Sequence, residues 1–232
     1  MWQAHRERWF PQGLEIVAVA LDVDPSEAKP FMRTDPPLEY PTVIDSSHVC
    51  DELFGFVNVP NAVWIDEQGT IVRPAEPAHP GTNPFTESFR SIDLDTLPDD
   101  VAEVLREARK IKSDPEQYVA MIEDWVARGA DSPYSLAPDE VIRRSGARDD
   151  SLARAAAEFE LGQFLHRAGN HEAAIAHWRN AHRLHPENWT YKRQAWNFED
   201  PMRQGKTDAY DGSWYDDIKN IGAENYYPPV VP

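Results

Sequence analysis

One cysteine, Cys50, stands in 232 residues. An internal disulfide is therefore excluded, and a two-thiol exchange cycle cannot run on this chain alone. Basic residues are also scarce: 23 Lys and Arg against 40 Asp and Glu leave a formal net charge of −17. That balance argues against nucleic acid or an anionic membrane surface as partner. No apolar run reaches the length of a membrane-spanning helix, and the N-terminus has neither a basic start nor a long apolar core, so no signal peptide is visible. The hydrophobic share, 41%, is enough for one large or two small cores.

The first seventy residues alternate between strand and helix signals. Leu14 to Asp22 is a nearly continuous apolar run, the pattern of a strand buried on both faces in a parallel sheet. Asp22-Val23-Asp24-Pro25-Ser26 is a turn, and Ser26 to Lys29 opens a helix that Pro30 and Pro36-Pro37 should break early. Tyr40-Pro41-Thr42-Val43-Ile44-Asp45 reads as extended. Ser46 to Gly55 reads as a helix with a serine cap, apolar Val49, Leu53 and Phe54, and Gly55 as its stop. Val63-Trp64-Ile65 and Ile71-Val72 flank the turn Asp66-Glu67-Gln68-Gly69 and predict a β-hairpin, with Pro60 at its entry. From spacing alone Pro60 is an ordinary edge-strand proline more often than a functional cis-proline.

The order of these pieces, ending in Phe54-Gly55-Phe56-Val57-Asn58-Val59-Pro60 and a hairpin, resembles thioredoxin-like thiol-disulfide oxidoreductases of the TlpA type over roughly residues 1 to 73. The resemblance implies that Pro60 is the cis-proline facing an active-site disulfide and that the backbone of Val59 pairs with an extended substrate segment. Asn61 departs from the threonine common after that proline. The larger departure is that the family's Cys-x-x-Cys, on a central strand running into a long helix, should precede Leu14. Here only Met1 to Gly13 precede it, with Trp2, Trp9 and Phe10 on one helical face and Pro11 and Gly13 ending the helix.

The fold class expected is therefore α/β: a thioredoxin-like sheet lacking its first central strand, over residues 1 to 130, with an all-α tetratricopeptide-like extension. Without that strand two interior strands would carry unpaired apolar edges. The expectation is a longer reading frame whose Cys or selenocysteine active site lies upstream of Met1. Location is cytoplasmic by default and extracytoplasmic if the start is misplaced. The alternative is a non-catalytic thioredoxin-like and tetratricopeptide interaction module. Either way the expected partner is a protein, as thiol or disulfide substrate or as bound peptide. Cys50, between Val49 and Leu53-Phe54, reads mainly as packing, with a sensor or resolving thiol as the sharper alternative.

Residues 74 to 98, with Pro74, Pro77, Pro80 and Pro84, read as a loop that pairs with neither strand nor helix. Two amphipathic helices follow, Asp99 to Lys112 and one that starts at Asp114-Pro115-Glu116-Gln117 and runs to Gly129. Residues 131 to 150 are a linker with a short helix near Glu140 to Arg144. In 151 to 200, Leu161-Gly162, Leu165, Ala174, Trp178, Ala181 and Pro186 reproduce the tetratricopeptide pattern, with Glu158 where an aromatic is expected. A single repeat cannot bury its own face, so it must lean on the first domain, a partner or a second subunit as a homo-oligomer. His166, His171, His177, His182 and His185 fall in this pair, and only His182 and His185 share a helical face. With no Cys or carboxylate in ligand spacing, neither metal nor cofactor is expected. The tail, 201 to 232, carries Trp214, Tyr215, Tyr226 and Tyr227, an aromatic density that predicts docking on the protein surface.

Overall fold

A computed structural model describes residues 1–32, 35–81, 88 and 90–231. Helix dominates, and among the described residues the strands form two separate two-stranded sheets. The chain is mixed α/β.

Helix α1 (Trp2–Trp9) ends in a 3-10 turn through Pro11, and Gly13 takes φ 101°, where an L side chain would be strained. It buries Trp9, while Phe10 stays half exposed beneath the Arg6 guanidinium. Strand β1 (Ala18–Leu21) is shorter than the apolar run around it and pairs in parallel with β2 (Thr42–Asp45), Ala18 opposite Thr42 and Leu21 opposite Asp45. The expectation of burial on both faces fails here: Val17 is 60% exposed, and the facing pair Val19 and Val43 are 37% and 49% exposed. Between the strands lies α2 (Pro25–Met32), which contains Pro30 rather than stopping before it.

Helix α3 (Val49–Phe54) also differs from expectation in its start. No serine caps it; His48 occupies the cap position at φ 56°, and Asp45 does the work, its Oδ2 accepting the Cys50 N–H at 2.7 Å. Strand β3 (Asn61–Ile65) and β4 (Ile71–Pro77) form the expected hairpin, with Asp66 Oδ1 accepting the Gln68 and Thr70 N–H groups in the turn. The strand runs on through Pro74 and Pro77, which sequence assigned to a loop. Trp64 faces Arg73 and Ala62 faces Glu76, so β4 carries an extra residue between these pairs. A bulge of this kind gives Pro74 a place where it need not donate to the ladder. The rest of that expected loop includes residues 82–87 and 89, which lie outside the described residues.

Helix α4 (Asp99–Ala108) and α5 (Pro115–Arg128) follow, the latter capped by Asp114 Oδ1 on the Gln117 N–H at 2.9 Å. Trp9, Trp64, Val72, Tyr118, Met121 and Ile122 make one core, in which the Tyr118 hydroxyl accepts from Trp64 Nε1 at 3.3 Å. The linker holds α6 (Pro138–Ser145), which lies against β4, and the loop before it adds Leu136 N–H to the Val72 carbonyl at 2.9 Å.

Helices α7 (Asp150–Arg167) and α8 (His171–Leu184) form the antiparallel pair expected from the repeat pattern. Ala174, Trp178 and Ala181 are fully buried between them, and α9 (Trp189–Asn197) closes the second core with Trp189, Tyr191, Ala195 and Trp196. The tail docks as expected: α10 (Trp214–Ile221) buries Ile218, and Tyr226 is 3% exposed against Trp189 and Trp214. Lys192 bonds Asp217 at 2.7 Å, joining α9 to α10. Among the described residues no helix is long and apolar enough to cross a membrane.

Candidate functional site

The turn before β3 brings the two halves of the chain together. Val57 O accepts the first N–H of α9, from Trp189, at 2.6 Å. Asn58, 5% exposed, donates from Nδ2 to the Tyr226 carbonyl at 3.3 Å and accepts the Val59 N–H at 2.9 Å. Val59 O accepts from the Tyr227 hydroxyl at 2.9 Å. The Val59–Pro60 peptide is cis, and Pro60 O accepts the Ala78 N–H at 3.1 Å. Both backbone groups of Val59, which the resemblance assigns to substrate, are thus engaged inside the chain.

Val59 also lines a cleft of ≈ 480 Å³ beside β1. In a parallel pair alternate residues serve opposite neighbours. Ala18 donates to Pro41 O on the β2 side at 2.9 Å, so Val19 and Leu21 turn their N–H and C=O groups the other way. On that same outer edge Val23 donates to Gln194 Oε1 of α9 at 3.1 Å, a side chain taking the place a neighbouring strand's carbonyl would hold. Gln194 and Arg193 line the cleft opposite Ala18, Ala20 and Leu21.

Behind the cleft a buried polar cluster ties α3 to α9. Asp51, 2% exposed, receives His48 Nδ1 at 3.3 Å, Asn188 Nδ2 at 3.4 Å and the Thr190 hydroxyl. The Thr190 and Asn188 side chains touch at 2.5 Å, and Asn188 Oδ1 also accepts the Tyr191 N–H at 3.0 Å, capping α9. A buried carboxylate with three donors is satisfied rather than poised for chemistry. Cys50 sits beside this cluster, half-buried, and burial followed by the Asp45 carboxylate pushes its thiol above the ordinary value. That is the opposite of what activates a nucleophilic thiol.

The histidines of the helical pair find carboxylates and one another. His177 bonds Glu158 at 2.6 Å; His166 Nδ1 meets His171 Nδ1 at 2.9 Å, and His171 Nε2 meets Glu199 at 2.6 Å. His182 faces inward, its ring against Trp196 and Tyr210. Among the described residues no cluster of His, Cys, Asp and Glu could hold a metal ion. Sequence reading singled out Val59, Pro60 and Cys50 but missed Asn58, Asp51 and Gln194. Nothing local marks these three as joining the halves of the chain, because the bonds that do so reach residues far away in sequence. No family model, curated protein or solved structure matches this chain.

Proposed function

We propose that this chain is the cis-proline side of a thioredoxin-like thiol-disulfide module carrying a tetratricopeptide-like helical unit. The observation that carries the reading is the split sheet. β1 and β3 belong to separate two-stranded sheets, and the outer edge of β1 opens on the same cleft that Val59 lines. Val17 and Val19 are exposed and Val23 bonds a side chain rather than a strand, which supports the reading that this edge lacks its ladder partner. A central strand carrying Cys-x-x-Cys or its selenocysteine equivalent, placed there, would end close to Val59 and Pro60. Residues outside the present sequence would supply it, since Cys50 is alone and its thiol is raised.

The test is the genomic reading frame upstream, followed by insulin reduction with the longer protein. An apolar strand and a redox motif within about fifty codons, enough for one strand and half a helix, with turnover by the longer protein, is the expected result. A frame without them, or a longer protein that reduces nothing, overturns it. The second reading, a non-catalytic protein-interaction module, is favoured by the engagement of both Val59 backbone groups inside the chain. It expects no turnover from any length of the protein.

A further inference from the structure

Residues 227–231 are held through side chains. From Tyr227 to Val231, every hydrogen bond made among the described residues has a side chain on at least one end. Gln117 Nε2 donates to Val230 O at 3.2 Å; Arg73 and Arg144 both donate to Val231 O, the latter at 2.8 Å. One step earlier Asn58 holds the Tyr226 carbonyl at 3.3 Å. The Tyr227 ring stands edge-on to His79 at 4.5 Å while its hydroxyl reaches Val59 O, and Val230 packs on the Trp9 and Trp64 core. Pro228-Pro229 between these anchors cannot donate and keeps the segment extended.

A strand is held by its own ladder. This segment instead lays carbonyls on donors presented by α5, α6, β4 and the turn before β3, and drops an aromatic and a valine into separate seats. That is the arrangement of a peptide in a recognition groove. We propose that the groove formed by Val59, His79, Gln117, Arg73 and Arg144 is a peptide-binding site for extended segments of the Tyr-Pro-Pro-Val-Val type, and that residues 227–231 are its internal, displaceable occupant, hinged at Tyr226, which stays in the core. Tethering gives the tail a high effective concentration, so a peptide added in trans competes against it and binds with an apparent affinity reduced by the fraction of grooves left open. The inference goes beyond the thiol reading and does not depend on it.

The test uses the full chain and a fluorescent peptide, Tyr-Pro-Pro-Val-Val, read by anisotropy. Tyr227→Phe in the chain removes the hydroxyl that reaches Val59 and weakens the resident tail, while the groove stays intact; the labelled peptide should then bind about two- to tenfold more tightly, the worth of one hydrogen bond. The same Tyr→Phe change in the peptide should weaken its binding by a similar factor. Gln117→Ala weakens tail and peptide alike, so it should leave the apparent affinity nearly unchanged. Near-ultraviolet circular dichroism checks that each variant keeps its packing. Absence of saturable binding to a folded Tyr227→Phe chain, or binding that ignores the hydroxyl on both sides, overturns the proposal.

Discussion

The indole of Trp178 occupies the space that a side chain on Gly162 would need: a β-carbon there would come within 2.4 Å of Nε1 and 2.5 Å of Cδ1. Trp178 is fully buried, so any shift of its ring must displace core neighbours. On an exposed helix, glycine to alanine would stabilise by about 1 kcal/mol. Here Gly162→Ala should instead destabilise by roughly 1–3 kcal/mol, the usual range for an overpacked core. Urea unfolding at neutral pH decides it, and a midpoint equal to or above that of the unaltered protein would mean that α7 and α8 do not meet this closely.

That contact also shows what was legible beforehand. Leu161-Gly162 and the Ala-x-x-x-Trp spacing encode a local packing problem, a small residue opposite a large one at helical period, so the pair could be read from sequence. The hairpin from Asn61 was legible from a local signal too, the β-branched and aromatic runs on either side of the polar turn Asp66 to Gly69. Gln194 bonding Val23, Asn188 and Thr190 bonding Asp51, and Tyr227 bonding Val59 were not. Each joins residues more than 130 positions apart, and side chains of such types occur everywhere on surfaces. The strand through Pro74 was hidden for a third reason: a bulge relaxes the rule against proline in a ladder, and nothing local announces a bulge.

Asp51 couples the two halves of the chain. Replacing it with alanine leaves His48, Asn188 and Thr190 without their shared acceptor in a buried site. Stability should fall by about 2–4 kcal/mol, the cost of stranding several buried donors. Asp51→Asn, which keeps one acceptor oxygen, should lose less. A double-mutant cycle with Thr190→Val should return a coupling energy well above zero; strict additivity would show that the contact is incidental.

His182 gives the protein an acid sensitivity with a defined sign. Burial, reinforced by the nearby Lys192 charge, pulls its pKa from 6.5 down to about 3, and its Nε2 is buried with no hydrogen-bond partner among the described residues. The folded value lies below the unfolded one, so the neutral ring's stabilising contribution is complete above about pH 6.5. It is lost as pH falls toward 3, because only the unfolded chain takes up the proton in that window. The slope for one such group is about 1.4 kcal/mol per pH unit. His182→Gln removes it. The stability difference between the unaltered protein and this variant should therefore shrink steadily from pH 6 to pH 4, and a difference independent of pH would place the imidazole in contact with water.

Cys50 should behave as a packed thiol. Burial first, then Asp45, raises its pKa, so iodoacetamide labelling of the folded protein should titrate with a midpoint above that of an unperturbed cysteine. Asp45→Asn should lower that midpoint while keeping an acceptor for the Cys50 N–H. Rapid labelling below neutral pH would revive the sensor reading.

The outer edge of β1 carries the final prediction. Val17 and Val19 are exposed beside backbone groups that point away from β2, a combination that invites pairing with another chain. Charge on such an edge blocks that pairing without touching the core. Val19→Lys should slow aggregate growth at 37 °C, followed by light scattering, while shifting the melting temperature by no more than about 2 °C, as expected for a surface substitution of at most about 0.5 kcal/mol. The reason it matters is that the two outcomes separate an open edge from a filled one. If melting drops sharply while aggregation is unchanged, Val19 is already covered and the cleft has no room for a further strand. If aggregation slows and melting holds, the edge is free, and a strand paired there, from this protein or another, should protect it from aggregation without any substitution at Val19.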